Sequence, residues 1–283
     1  MENVLITNEK RFKELKENFK KGGAEKLHLL ADFDKTLTKA FSNGKKINSL
    51  ISVLRDNNCL TPDYAGKANA LYEKYYPIEK NLLLPLEERK KAMEEWWTKH
   101  FELLIQSKLN IKDIESAVMN QDVVLREGAV DLLNFLKEKN IPLVILSSSG
   151  LGEESVKLYL EKRNMLFENI HIISNAFEWD EQNYAVGIKK PIIHTLSKDE
   201  TAIKDFPEIF KRVKERKNVV LLGDSVSDVE MITGFDYDNL VKIGFLNEDI
   251  ETNLQDYKKA FDVLILQDSS VDFLNDFLKE IIE

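Results

Sequence analysis

The sequence predicts an α/β protein: a parallel sheet covered by helices on both faces, with a helical domain inserted after the first strand of that sheet. Three observations carry this. Six short runs are continuously apolar, as strands buried on both faces are. Helical stretches separate most of them, the rhythm of parallel strands joined by crossovers. One long interval, from about Gly44 to Gln121, shows helical patterns and no convincing strand.

Each element follows in order. An amphipathic helix is expected over Glu9–Lys20, with Phe12, Leu15 and Phe19 on one face and Gly22-Gly23 closing it. Leu27–Phe33 is the first strand of the sheet. In the helical interval, Thr61-Pro62 marks a helix start, with Thr as N-cap and Pro in the first turn. A long helix begins near Pro85. Further strands fall at Ile141–Ser147, Asn169–Ser174, Asn218–Asp224, Leu240–Phe245 and Phe261–Leu266. Helices are expected at Glu127–Lys139, Glu153–Lys162, Asp205–Glu215, Asp228–Gly234, Asp249–Lys259 and Ser269–Ile282. The division is a core of residues 1–44 and 122–283 around an insert of residues 45–121.

Composition narrows the class. A chain of 283 residues can build one large domain with a smaller insert. Its formal net charge is −9 and it has no long basic run, which disfavours nucleic acid and acidic membranes as partners. No apolar run approaches the roughly 18 residues of a membrane span, and the first residues lack a signal-peptide pattern. Cys59 is the only cysteine, so no intrachain disulfide can form, and a reducing, cytoplasmic setting is expected. His28, His100, His171 and His194 are scattered, without zinc-type spacing. A monomer or weak homo-oligomer is expected.

The chemistry gathers at strand ends. The apolar run Leu27–Ala31 finishes on Asp32 and Asp34. Burial penalises both carboxylates, and each makes the other harder to ionise, so something must offset the cost. Ile141–Leu146 finishes on Ser147-Ser148-Ser149-Gly150. Asn218–Leu222 finishes on Gly223-Asp224, with Asp228 four residues later. Lys198 lies between the last two. Singly, these are ordinary caps, turns and surface charges. Together, they occupy the place where open parallel sheets bind ligands, beyond the carboxyl ends of the strands.

The four groups resemble the motifs of the haloacid dehalogenase superfamily of phosphohydrolases, here "DFDKTLT", "ILSSSG", "SKDE" and "GDSVSD". Further stretches, "YYPIEKN", "MEEWWTKH", "VVLREG" and "KIGFLNEDIE", are similar to the cytosolic pyrimidine 5′-nucleotidases, a group with a 7-methylguanosine-phosphate-specific branch. The resemblance runs from about Gly22 to the C-terminus and implies a Rossmann-like core with the insert as a helical cap. It implies Asp32 as nucleophile, forming an aspartyl-phosphate, and Asp34 as general acid and base. It also implies Mg²⁺ held by the Asp32 carboxylate, the Asp34 carbonyl and the Asp224 carboxylate, with Asp228 in support. Ser147, the backbone N–H of Ser148, and Lys198 would hold phosphoryl oxygens. The second motif is one residue longer than the usual Ser-Ala-Gly; strand length from Pro142 selects Ser147, while counting back from Gly150 selects Ser148.

The cap should choose the substrate. By resemblance, Glu79 contacts the base edge and Trp97 stacks on it. Adjacent helical residues lie about 100° apart, so Trp96 is expected in the core instead. The pyrimidine branch often has Ser where this chain has His100, which is either a base contact or a helix-surface residue. The expected substrate is a nucleoside 5′-monophosphate, CMP or UMP first. The alternatives are 7-methyl-GMP as substrate and transfer of the phosphoryl group to a nucleoside instead of water.

Overall fold

The structure is a computed structural model that describes residues 3–47, 49–56, 60–81, 83–119, 123–198, 206–233 and 236–283. Cys59, the expected helix start at Asp205, the expected helix end at Gly234 and the expected domain boundary at 121/122 lie outside the described residues.

The core is one seven-stranded sheet. Its strands are β1 (Val4–Ile6), β2 (Leu27–Ala31), β5 (Leu143–Leu146), β6 (Ile170–Ile173), β9 (Asn218–Gly223), β10 (Asn239–Leu246) and β11 (Val263–Leu266), in the order β1-β11-β10-β9-β2-β5-β6. All neighbours are parallel except β1, which pairs antiparallel with β11 at the edge. The continuous apolar runs are explained by burial on both faces. Leu29, Ala31, Ile145, Val220 and Leu222 enter one core, and Leu30, Val144, Leu146, Val219 and Leu221 enter the other.

Topology places the site. From β2 the chain moves outward through β5 and β6, then returns to the other side of β2 for β9, β10 and β11. The order therefore reverses at β2, which opens a crevice at the carboxyl ends of β2, β5 and β9. Register brings these ends level, because Ala31 pairs with both Ile145 and Leu222.

Helices α1 (Glu9–Gly22), α6 (Ala129–Glu138), α7 (Gly152–Glu161), α8 (Pro207–Val213), α9 (Ile250–Ala260) and α10 (Asp272–Ile282) accompany the sheet. Between β2 and β5 lie α2 (Leu50–Asp56), α3 (Tyr64–Lys80), α4 (Leu86–Gln106) and α5 (Ile111–Val118). The expected start of α3 at Thr61-Pro62 is two residues early: Asp63 is the N-cap, and Tyr64 N–H donates to Thr61 O at 2.9 Å. Two hairpins escape the sequence pattern, β3 (Phe41–Ser42) with β4 (Lys45–Lys46) and β7 (Phe177–Trp179) with β8 (Ala185–Ile188). β4 lies inside the interval read as free of strands. Val226–Ile232, expected as α-helix from Asp228, is a 3-10 helix.

Candidate active site

Asp32 follows β2 directly, and its backbone N–H continues the ladder to Leu222 O at 3.0 Å. The chain then turns back. Phe33 O accepts N–H from Leu37 (3.0 Å) and Thr38 (3.1 Å), and Lys35, at φ 60°, takes the left-handed conformation the turn requires. A fully buried guanidinium braces this loop. Arg126 donates to Thr36 O (2.8 Å), Lys35 O, Ser269 O (3.0 Å) and Asn247 Oδ1 (3.1 Å), and pairs with Asp268 at 3.0 Å. Asp268 in turn accepts the N–H groups of Ala40 and Phe41 at 2.8 and 3.0 Å. Sequence reasoning passed over Arg126 inside "VVLREG", where an Arg-Glu pair before a glycine reads as an ordinary surface turn.

Lys198 reaches Asp32 from a different segment. Asn175, just beyond β6, donates to Ile193 O and accepts Ile193 N–H, both at 2.8 Å, which pins the approach. A turn follows, with Ser197 N–H donating to His194 O at 3.0 Å. The Lys198 ammonium then hydrogen-bonds both Asp32 and Asp228, the latter at 3.0 Å. Asp228 also accepts Ser225 N–H at 2.9 Å as half of a capping box. The capping turn comes so close to β9 that a Cβ on Gly223 would lie 2.4 Å from the Asp228 Cβ, so position 223 needs glycine.

Ligand oxygens of Asp32, Asp224 and Asp228 lie within 4.8 Å of one another. Burial raises Asp32 well above the carboxylate range, against the pull of Lys198. Burial, then the Asp228 charge, raises Asp224 to about 7. Burial also raises Asp34. Burial pulls Lys198 down, but Asp228 and Asp32 outweigh it and hold the ammonium above its ordinary range. Asp32 and Asp228 thus share one ammonium, with the Asp224 carboxylate beside them. A hard cation fits this all-oxygen cluster and would supply the missing positive charge.

Beside the acids, a cavity of about 250 Å³ opens between sheet and insert. Asp34, Ser148, Ser149 and Gly150 line it from the sheet side, and α2, α3 and α4 close it. Ser147 is buried at the end of β5, its N–H bonded to Ile173 O at 3.0 Å, while Ser148 faces the cavity. His100 joins the two sides, its Nε2 3.1 Å from Gly150 O. Burial lowers its pKa to about 4 and keeps it neutral.

Trp97 lines the cavity, and so does Trp96, which corrects the assignment of Trp96 to the core. The indoles meet edge to face at 4.9 Å, and Trp96 stacks on Tyr75 of α3 at 5.9 Å. The cavity wraps far enough around α4 for two large neighbouring rings to reach it. Glu79 stands in the last turn of α3, after Pro77, where Arg89 Nη2 donates to its carbonyl at 2.6 Å. Its carboxylate accepts from Thr195 Oγ1 at 2.7 Å and is not among the lining groups. Arg55, Tyr64 and Tyr72 line the cavity and were not singled out in the sequence. Only the packing of α2, α3 and α4 brings them together.

The family profile of the pyrimidine 5′-nucleotidases (UMPH-1) matches residues 35–282. The chain belongs to this family. As a UMPH-1 nucleotidase it is a hydrolase of phosphate monoesters on the haloacid dehalogenase fold. It is 33% identical over 280 residues to the 7-methylguanosine phosphate-specific 5′-nucleotidase of Homo sapiens, covering 99% of this chain and 92% of that one. It is 34% identical over 255 residues to a putative cytosolic 5′-nucleotidase 3 of Caenorhabditis elegans, covering 88% and 68%. A solved structure of cytosolic 5′-nucleotidase IIIB bound to cytidine superposes with a TM-score of 0.88 at 26% identity, covering 99% and 94%. A phospho-aspartyl intermediate analogue of phosphoserine phosphatase shares the fold at TM-score 0.52 and 18% identity, covering 92% and 99%.

Proposed function

We propose that this nucleotidase hydrolyses nucleoside 5′-monophosphates, CMP and UMP first, through a phosphoryl group carried on Asp32. The observation that supports it most is the pairing of Asp32 with Lys198 at the strand-order reversal, beside an aromatic cavity. An Asp32 carboxylate oxygen attacks phosphorus and forms an Asp32 O–P bond while the P–O5′ bond breaks. Asp34, on the cavity wall, gives its proton to the departing O5′. The nucleoside leaves, and water attacks phosphorus. Asp34 takes the water's proton, the Asp32 O–P bond breaks, and inorganic phosphate leaves with Asp32 restored. Lys198 and the Ser147–Ser148 turn hold the phosphoryl oxygens throughout.

Mg²⁺ held by the Asp32 and Asp224 carboxylates and the Asp34 carbonyl would supply charge that neutralises the phosphoryl oxygens. Asp228 supports from outside that set, since its oxygens are taken by Lys198 and Ser225. Residues 45–121 act as the cap, with Trp97 stacking on the base; the Glu79 carboxylate, held by Thr195 outside the cavity lining, does not reach the base edge in this arrangement. The setting is cytosolic, in keeping with the relatives named as cytosolic 5′-nucleotidases.

A second reading, 7-methyl-GMP as the preferred substrate, is favoured by the name of the 33%-identical human relative and by the paired indoles, which suit a cationic ring. The test is phosphate release from CMP, UMP, AMP, GMP and 7-methyl-GMP, with and without Mg²⁺, by wild type and Asp32→Asn. Release by wild type alone, in Mg²⁺ alone, supports the proposal. Release by Asp32→Asn at the wild-type rate refutes it.

A further inference from the structure

The turn after β5 is held from two sides. On the core side, Ser147 N–H donates to Ile173 O at 3.0 Å, Ser149 Oγ lies 2.8 Å from Ser155 Oγ, and Gly152 N–H donates to Ser149 O at 3.2 Å. The far end of the turn meets the cap. Gly150 O lies 3.1 Å from Nε2 of His100 on α4. A carbonyl only accepts, and burial lowers the His100 pKa to about 4, so the imidazole is neutral with its one hydrogen on Nε2.

The contact is closely fitted. A Cβ on Gly150 would lie 3.0 Å from His100 Nε2 and 3.4 Å from Ile51 of α2, so a side chain there would push the imidazole away from the carbonyl. Helix α4 is seated on the core at this point: Phe101, next to His100, is fully buried and meets Phe177 of β7 edge to face at 5.4 Å. Trp97 and His100, three residues apart, share one face of α4, and both line the cavity. One helix face therefore borders the space proposed for the nucleoside and grips the loop proposed to hold its phosphate. Such a link lets binding remote from phosphorus improve alignment at phosphorus.

Building on the nucleotidase proposal, we propose that His100 is a positioning residue, whose N–H to the Gly150 carbonyl sets the Ser147–Ser148 turn against the phosphoryl group when the cap is seated. His100 acts through the loop and not on the base, so its loss should be felt equally by every nucleotide.

The experiment measures kcat and KM for CMP, UMP and 7-methyl-GMP on wild type, His100→Leu, His100→Gln and Gly150→Ala, with thermal melting of each. His100→Leu fills the space without a donor. It should lower kcat at least about tenfold for each nucleotide that wild type hydrolyses, with KM within about twofold and the ranking of nucleotides unchanged. His100→Gln, whose amide N–H can replace the Nε2 donor, should recover most of kcat. Gly150 lies outside the left-handed backbone region, so alanine fits its conformation and acts by crowding the imidazole. Gly150→Ala should lower kcat about threefold or more, again without changing the ranking. A folded His100→Leu with wild-type kcat overturns the inference. So does a raised KM or an altered ranking with kcat kept, which would make His100 a base contact, and so does a His100→Gln as impaired as His100→Leu. If His100→Leu does not fold, Gly150→Ala decides: a lowered kcat with the ranking kept supports the inference, and a wild-type kcat overturns it. The nucleotidase proposal survives each of these results. No phosphate release from any nucleotide by wild type would instead bring down that proposal and this inference with it.

Discussion

Arg126→Met tests how the loop after Asp32 is held. The substitution keeps an apolar stem over Phe245, whose ring centroid lies 4.4 Å from the guanidinium carbon. It removes the planar fork. The Arg126 side chain is 0% exposed and that of Asp268 is 8% exposed, so the pair is buried. Burial lowers the Arg126 pKa to about 10, which still leaves it charged at neutral pH. Removing one partner of a buried pair costs roughly 3–5 kcal/mol, because the other charge stays behind uncompensated. Asp268 keeps two backbone donors, Ala40 and Phe41, and Lys35 O keeps the Asn247 amide at 3.0 Å. Those partners place the loss at the lower end, about 3 kcal/mol. Thr36 O and Ser269 O lose their Arg126 donors, so the loop carrying Asp34 should loosen and kcat should fall at least about tenfold. Urea unfolding followed by tryptophan fluorescence gives the stability change, and phosphate release gives kcat. A loss under about 1 kcal/mol, the scale of a surface pair, with kcat unchanged would refute the bracing role.

Three further outcomes are expected. His28 is buried in β2 with Nδ1 2.6 Å from Arg216 O, and burial lowers its pKa from 6.5 to about 4. The unfolded chain then binds the extra proton between those values, so stability falls as pH drops through that window, by roughly 3 kcal/mol in all. His28→Asn should flatten that part of a plot of unfolding free energy against pH; an unaltered slope would show that other groups cause it. Ser147→Ala should lower kcat/KM more than Ser148→Ala, since alanine at 148 keeps the backbone N–H. The opposite order would move the phosphate contact to Ser148, the residue that faces the cavity. Mg²⁺ should raise the melting temperature and a chelator should lower it, because a cation relieves the Asp32–Asp224–Asp228 repulsion only in the folded chain. No shift in Asp224→Asn would locate the ion there; an equal shift would exclude it.

The parts of the fold written in local pattern were legible. Leu29–Ala31 and Val219–Leu222 are apolar without interruption because both sheet faces are covered, so strands and the acids at their ends could be placed from sequence. The hairpins Phe41–Lys46 and Phe177–Ile188 could not, since strands of two to four residues hold too few alternations to register. The turn after β9 was read as α-helix because the capping pair Ser225 and Asp228 begins either kind of helix. The bracing of the Asp32 loop was hidden for another reason. Arg126 is satisfied by oxygens from residues 35–36, 247 and 268–269, distant in sequence and mostly backbone. Trp96 was misassigned because helical angle alone ignores the reach of an indole. His100 gave no hint that it ties α4 to Gly150.

The central claim is that Asp32 carries the phosphoryl group. Wild type mixed with excess UMP and Mg²⁺, quenched in acid within the first turnovers and digested, reports it directly by mass spectrometry. The account predicts a phosphoryl group on the peptide containing Asp32, lost on treatment with hydroxylamine and absent from Asp32→Asn. Full turnover with no such adduct at any quench time, or an adduct on another residue, would contradict it.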